Sequence, residues 1–291
     1  MNDIADIRAA TTAIGAPVER VEDERLLRGQ GQFVDDVKRP DMLHAAILRS
    51  PLAHGRIRSI DASAALAMPG VHAVITAADV VFELAAVPVI PQRQEALAEL
   101  EPFYQPVIAE SKVRYAGEPI AVVVARDRAL AEDALIRIKF DIEALPVVGD
   151  CAAAARNESL LFEKAARNCA VTLTASKGDT EAVFASAPYT RRERFRVHRH
   201  MAAPMETRGL IADWDAAGGR LVVYGAAKTA FRNRKVLAGQ MRMREADIEL
   251  VEGDVGGGFG ARGEFYPEDF LIPFAARRVR RAVKWIEDRR E

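Results

Sequence analysis

Cysteine is scarce in this sequence of 291 residues. Only Cys151 and Cys169 are present, and they do not form a C-x-x-C pair. A disulfide scaffold, a zinc ribbon or a resident iron–sulfur cluster needs more cysteines or closer spacing. The two thiols are therefore expected to be small buried or surface side chains, and no residue of the chain is expected to ligate a metal directly.

Long apolar runs and an excess of charge of one sign are absent as well. No stretch approaches the roughly 18 apolar residues that cross a bilayer, and the start of the chain, MNDIADIRAATTAIG, has no signal-peptide pattern. These features predict a cytoplasmic chain without a membrane span. Because 41 Lys and Arg nearly balance 42 Asp and Glu, no overall field favours nucleic acid as a partner.

The residues that are present, 49% of them hydrophobic, suffice for a sizeable core and predict two domains. Residues 1–19 have no convincing period and are interpreted as a tail. From Arg20 to about residue 150 the pattern predicts a compact α+β module. Its expected strands are 42–50, 71–76, 117–125 and 139–148, and its expected helices are capped by Asp61 and Asp127.

Residues 151–169, rich in Ala and Asn, are interpreted as a connector to a second unit over 170–291. The alternation in RRERFRVHRH predicts an exposed strand that carries His198 and His200, which are expected to be structural. Gly218-Gly219 predicts a hairpin, and NRKVLAGQMRMREAD predicts a packed helix. A strand at 248–251 is expected to enter a glycine-rich loop, followed by a helix over 264–281 and a strand at 283–288.

The glycine-rich loop places Gly256, Gly257, Gly258 and Gly260 around Phe259. Its spacing fits neither the G-x-G-x-x-G fingerprint of dinucleotide-binding folds nor the Walker loop. Residues without Cβ let backbone N–H groups converge on an anion or a metal-bound oxygen. The alternative is a strand exit whose glycines serve only positive φ angles or tight packing.

Five segments, in the same order, resemble the large, molybdenum-binding subunit of the xanthine dehydrogenase, aldehyde oxidase and carbon monoxide dehydrogenase family. The resemblance covers nearly the whole chain beyond the first dozen residues. The segments are residues 21–61, residues 115–148, HRHMAAPMETRGLIADWD (198–215), DVGGGFG (254–260) and VKWIEDRRE (283–291).

The resemblance implies a fold and an activity. The fold is α+β, with an α/β hammerhead domain over 20–150 followed by the start of a molybdopterin-binding α/β domain over 170–291. The activity is oxidative hydroxylation of an aldehyde or N-heterocycle at a molybdenum–molybdopterin cofactor, in its cytosine dinucleotide form if the chain is bacterial. Electrons would pass to an iron–sulfur subunit and an FAD subunit.

The resemblance also assigns site residues. Gly256, Gly257, Gly258, Phe259 and Gly260 would contact the cofactor, with Phe259 as an aromatic wall of the substrate funnel. Lys228 stands where the family usually has a glutamine that faces the molybdenum. An ammonium there offers only donors, and its alternative is an exposed lysine at a strand end.

Several other charged residues have simpler explanations. Glu264, Glu268 and Asp269 lie at the predicted start of a helix, where acidic residues compensate the dipole. Glu206 is expected to structure the pocket, with Arg208 as its salt-bridge partner.

The family's catalytic base is expected beyond Glu291, in a segment supplied by another chain or missing from a truncated product. No catalytic residue is therefore assigned here. The alternative function is a non-catalytic fragment that acts only as a folding or subunit-interaction module.

Overall fold

The computed structural model describes residues 14–15, 17–93, 97–225 and 229–290. Its α-helices are α1 (Asp23–Leu27), α2 (Ser63–Leu66), α3 (Ala77–Leu84), α4 (Arg128–Leu135), α5 (Cys151–Ala155), α6 (Thr180–Ser186), α7 (Ala230–Met241) and α8 (Pro267–Val279). Short 3-10 helices lie at Ala98–Phe103, Glu163–Ala165 and Glu245–Asp247. None of the described helices is long and apolar enough to cross a lipid bilayer.

The strands are β1 (Leu43–Arg49), β2 (Gly55–Asp61), β3 (Val71–Ile75), β4 (Val89–Ile90), β5 (Gln105–Pro106), β6 (Lys112–Val113), β7 (Pro119–Ala125), β8 (Lys139–Ala144), β9 (Gly209–Asp215), β10 (Arg220–Tyr224), β11 (Ile248–Val251) and β12 (Val283–Ile286). Most of these strands belong to one seven-stranded sheet with the order β11-β10-β9-β12-β1-β7-β3. The remaining described strands form a three-stranded sheet, β6-β2-β8, and a two-stranded pair, β4-β5.

The large sheet takes strands from both halves of the chain. β12 pairs in parallel with β1, with Leu43 opposite Val283, and it pairs antiparallel with β9, with Trp285 opposite Leu210. The two halves therefore share backbone hydrogen bonds across the middle of one sheet. The prediction of an α+β fold is confirmed.

The two faces of the sheet carry different cores. One core contains the fully buried Trp285, Phe270 and Phe274 and packs α3, α7 and α8 against the sheet. The other packs α2 and α4, with Ala131 at its centre, against β3 and β7. The glycine-rich loop leaves the sheet at the end of β11 and returns into α8.

The sequence pattern correctly predicts the positions of several strands and helices. All seven residues of β7 are buried, as its unbroken apolar sequence predicts. Asp127 caps α4 by accepting a 2.8 Å hydrogen bond from the Leu130 N–H. Asp61, in contrast, ends β2 and Ala62 is the N-cap of α2, although the Asp61 carboxylate still accepts from Ser63 N–H at 3.0 Å.

The strand predicted over 191–200 is wrong. Residues 188–203 are all exposed and form no helix or strand. Their alternation of apolar and basic side chains is typical of a strand, but no described strand lies beside them to pair with. His198 and His200 are therefore exposed on a segment of irregular backbone.

The helix predicted over 264–281 begins later than expected. Pro267 occupies its first turn, and the preceding Tyr266 is the N-cap, where its N–H donates a 2.7 Å hydrogen bond to the Asp269 carboxylate. Glu264 thus lies outside the helix. The hairpin at Gly218-Gly219 forms as predicted, and the strand predicted over 283–288 forms over Val283–Ile286.

Candidate functional site

The glycine-rich loop is tied at its N-terminal end to the segment that follows α1. Both oxygens of the Asp254 carboxylate accept 2.6 Å hydrogen bonds from Arg25, and one of them also accepts from Gln32 N–H at 2.7 Å. Asp254 N–H in turn donates to Gln32 C=O at 3.1 Å. The hydrogen bonds from Arg25 and Gln32 hold the pKa of Asp254 well below its usual value. This contact fixes where the loop starts.

Glu206 holds the loop two residues after Asp254, at Gly256. Its carboxylate accepts hydrogen bonds from Gly256 N–H at 2.8 Å and from Val34 N–H at 3.3 Å. It also forms a 3.0 Å salt bridge with the buried Arg262. The expected partner of Glu206 was Arg208; that assignment is wrong.

Arg262 holds the loop from its other side. Its guanidinium donates to the carbonyls of Gly257 at 2.8 Å, Glu206 at 2.7 Å and Thr207 at 3.0 Å. These bonds satisfy several donors of the buried Arg262 guanidinium. Glu206 and Arg262, which form one ion pair, therefore hold the loop from two sides.

Neighbouring atoms of the chain explain several glycines. A Cβ on Gly253 would lie 2.8 Å from Gln32 C=O, and one on Gly256 would lie 2.4 Å from Glu206 Cβ. Gly257 and Gly260 have φ angles of 100° and 91°, which side chains disfavour. At these four positions, tight packing or a positive φ is a sufficient reason for glycine.

Gly258 has no such explanation. A Cβ at this position would meet no described atom within 4 Å, and its φ lies outside the left-handed region. Phe259, beside it, has a positive φ of 46° and is 79% exposed. A non-glycine residue held at positive φ is strained backbone of the kind found at ligand sites.

The loop also presents a row of unused donors. No backbone N–H from Gly257 to Gly260 donates a hydrogen bond to any residue that the structure describes. Successive N–H groups of this kind form a concave site for an anion or for an oxygen ligand. The open side of Gly258 leaves room for such a group to approach the backbone.

A network of charges lies at the start of α8. Glu268, 2% exposed, accepts from Arg49 at 2.8 Å and from Arg208 at 3.1 Å, and Arg208 also pairs with Glu287 at 2.5 Å. Burial raises the pKa of Glu268, but the charges of Arg208 and Arg49 outweigh it and hold this pKa below its usual value. Glu268 therefore balances two partly buried cations rather than the helix dipole alone.

The other two acidic residues of this region have different surroundings. Glu264 is exposed and pairs with Arg93 at 2.9 Å. Asp269 accepts from Tyr266 N–H, and burial raises its pKa to about 7. Neither contacts the free amides of the loop through a described hydrogen bond. Lys228 lies outside the described residues; the Thr229 hydroxyl that follows it lies 3.4 Å from Gly263 C=O.

The sequence patterns do not predict two anchors of the loop, the Arg25–Asp254 ion pair and Arg262. Arg25 and Asp254 lie far apart along the chain, so no local spacing indicates that they pair. Arg262 lies only two residues after Gly260, and a cation so close to a glycine run was the one available signal. Among the described residues no group of three His, Cys, Asp or Glu side chains could hold a metal ion.

Comparison with known proteins covers both halves of the chain. The family model for the aldehyde oxidase and xanthine dehydrogenase α/β hammerhead domain matches residues 28–146, and that for the molybdopterin cofactor-binding domain matches residues 161–291. The nicotine 6-hydroxylase large subunit of Paenarthrobacter nicotinovorans is 37% identical over 96% of this chain. The carbon monoxide dehydrogenase large chain of Hydrogenophaga pseudoflava is 36% identical over 93%.

Solved structures give the same result. Quinoline 2-oxidoreductase from Pseudomonas putida 86 superposes with a TM-score of 0.83 at 36% identity, over 94% of this chain and 34% of that one. Carbon monoxide dehydrogenase from Oligotropha carboxidovorans superposes with a TM-score of 0.82 at 35% identity, over 94% of this chain and 35% of that one. The chain spans about a third of the length of the curated relatives, 34% in each of the two above.

Proposed function

Because this chain belongs to the family of xanthine dehydrogenase, aldehyde oxidase and carbon monoxide dehydrogenase, and corresponds to the N-terminal part of the molybdenum-binding large subunit, we propose that it forms part of a molybdenum hydroxylase. The enzyme would catalyse oxidative hydroxylation of an aldehyde or an N-heterocycle. Electrons would pass to an iron–sulfur subunit and an FAD subunit.

The observation that carries this proposal is the open side of Gly258 beside the unused N–H groups. A bound molybdenum–molybdopterin cofactor, in its cytosine dinucleotide form if the chain is bacterial, would supply the redox chemistry. The residues fit such a group, since the N–H groups of Gly257, Gly258, Phe259 and Gly260 have no acceptor among the described residues and nothing described fills the space above Gly258. Phe259 would bound the substrate beside it, and Gly256 would set the position of the loop through Glu206.

Lys228 is the further cofactor contact that we propose. Its charge would act on the same oxygen-bearing group as the loop amides, as a donor without acceptor capacity. Thr229, beside Gly263, brings this part of the chain to the C-terminal end of the loop.

The proposed enzyme needs a further polypeptide stretch that supplies the catalytic base and the rest of the cofactor site. The fraction of the relatives that this chain spans, 34%, supports this requirement. So does the segment 188–203, where Phe195 and Val197 are 81% and 82% exposed and Met201 is 66% exposed. Exposed apolar side chains at alternating positions are typical of a strand that pairs with another chain segment.

We propose the following division of the chain: a tail over 1–19, the hammerhead domain over 20–150, a connector over 151–169 and the first part of the cofactor-binding domain over 170–291. The ranges of the two family models, 28–146 and 161–291, support this division. The shared seven-stranded sheet means that the two domains would be joined through β1 and β12.

The test is purification of the chain from its native cell, with molybdenum measured per chain and co-purifying chains identified by mass spectrometry. We expect close to one molybdenum together with iron–sulfur and FAD subunits. Gly258→Ala should lower the molybdenum content at unchanged thermal stability, whereas the matched control Gly149→Ala, at another loop glycine where an added Cβ would only touch Val147 Cγ1 at 3.9 Å, should not. Metal-free, solitary protein would favour the non-catalytic module instead.

A further inference from the structure

A second concave surface lies beside the glycine-rich loop. It is a groove of about 680 Å³ between α7 and the β4–β5 pair, within the size range of small-molecule sites. Residues 232, 235, 236, 239 and 240 follow helical spacing, so one face of α7 forms a wall of the groove. Phe231 begins this wall and is 82% exposed.

Gly239 is the residue of this wall that the rest of the chain does not explain. Glycine is a poor helix former, yet it lies inside α7. A Cβ there would meet no described atom within 4 Å, and its φ is not positive. A side chain at position 239 would occupy the groove instead, so the glycine keeps this space open.

The groove is positively charged. Arg93, Arg232 and Lys235 contribute to its lining, and none of the described lining residues is acidic. Glu264 balances the charge of Arg93, and Arg232 donates to Pro91 C=O at 3.0 Å. Lys235 makes no hydrogen bond or salt bridge to any residue in the described part of the chain, so its ammonium is available to a ligand.

Aromatic and polar groups complete the lining. Phe231 and Tyr104 can pack against a planar ring from opposite walls. The Gln240 side chain donates to Val89 C=O at 2.9 Å, while its carbonyl oxygen is buried without a partner among the described residues. The hydrogen bond from Gln240 to Val89 joins α7 to β4 across the groove.

The groove reaches the proposed cofactor site. Arg93, in its lining, donates to Gly263 C=O, and the Thr229 hydroxyl, two residues before Phe231, lies 3.4 Å from the same oxygen. Gly263 follows Gly260 by three residues. A ligand in the groove near Phe231 would therefore lie next to the end of the glycine-rich loop.

We propose that this groove binds a planar aromatic compound that carries a carboxylate, with the ring between Phe231 and Tyr104 and the carboxylate at Lys235. As a statement about the substrate class, this inference rests on the proposed function; as a statement about binding, it rests on the groove alone. Carboxylates pair with ammonium and guanidinium groups, and Gly239 leaves room for the ring.

The test compares the binding of quinoline-4-carboxylate with that of neutral quinoline by isothermal titration calorimetry, on the protein as purified from its native cell. We expect the carboxylate to bind about tenfold more tightly, because a charge-assisted contact is added to the same ring packing. Lys235→Glu should remove this preference. The control Lys164→Glu, at an exposed lysine elsewhere, should retain it. Gly239→Leu should weaken the binding of both compounds by filling the groove.

Equal affinities for the two compounds, or a preference that survives Lys235→Glu, would overturn the inference. Circular dichroism of each variant checks that the fold is retained. Phe231→Ala, at an exposed side chain, provides a second variant that should weaken the binding of both compounds. Molybdenum content separates the two proposals. Metal-free protein that keeps the carboxylate preference contradicts the proposed function alone, and molybdenum-loaded protein without the preference contradicts the groove alone.

Discussion

Glu118 is a fully buried carboxyl with an incomplete set of partners. One oxygen accepts from Arg114 N–H at 2.5 Å, and the other has no partner among the described residues. Burial raises its pKa to about 7. Since the unfolded chain releases this proton near pH 4.3, the folded protein binds more protons between about pH 4.5 and 7, and this group lowers stability as the pH rises through that window.

Glu118→Gln should therefore gain stability relative to the parent chain as the pH rises from 5 to 8, by on the order of 1–3 kcal/mol, because the buried amide does not ionise. Urea unfolding at several pH values measures this difference. The exposed Glu132→Gln should follow the parent profile. Parallel profiles for Glu118→Gln and the parent would show that Glu118 titrates normally.

The helix α8 ends on a residue that is poorly suited to its backbone. Arg280, its C-cap, has a φ of 52°, a left-handed conformation that glycine adopts without a Cβ penalty. Arg280→Gly should raise the free energy of unfolding by roughly 0.5–1 kcal/mol, as measured by urea denaturation.

The C-cap of α7 offers the matched comparison. Arg242 has nearly the same φ, 54°, but its guanidinium donates to Leu84 C=O at 2.5 Å. Arg242→Gly should raise the free energy of unfolding less than Arg280→Gly does, since it loses that hydrogen bond. A destabilised Arg280→Gly would mean that its side chain, rather than its backbone, determines the end of α8.

The two halves of the molecule are expected to unfold together. β12 lies between β1 and β9, and the buried Glu268 joins Arg49 of the first half to Arg208 of the second. Separating the halves would leave unpaired strand edges and buried charges without partners.

Urea unfolding should consequently show one transition. Fluorescence of Trp214 and Trp285 reports on the second half, and hydrogen exchange of β7 reports on the first. Their midpoints should coincide. Two separate midpoints would show that the shared sheet does not couple the halves.

The sequence allowed most strands of the fold to be predicted because they are apolar. β7 is an unbroken buried run, and β9 and β10 flank a glycine pair that makes their turn. β2 was missed, since four of its seven residues are exposed and the pattern is weak. The strand over 191–200 was predicted from alternation, which indicates a strand but cannot supply a neighbour.

The candidate site was predictable in its backbone and not in its side chains. The glycines at 256–260 indicate close approach of the main chain, and the structure separates those explained by Glu206 or by positive φ from Gly258, which is not. The partner of Glu206 was predicted wrongly, because Arg208 is nearer in sequence while Arg262 is nearer in space. Long-range ion pairs leave no periodic signal in the sequence.

The position of β12 has a consequence for biosynthesis. Leu43 belongs to a strand made early, while its neighbour Val283 leaves the ribosome only after all the intervening strands. The nascent chain therefore carries an open edge on β1 until β12 has been synthesised, and strand edges of this kind attract chaperones and neighbouring nascent chains. Pairing between such distant segments is slow, so β12 joins β1 to β9 late in the assembly of the sheet.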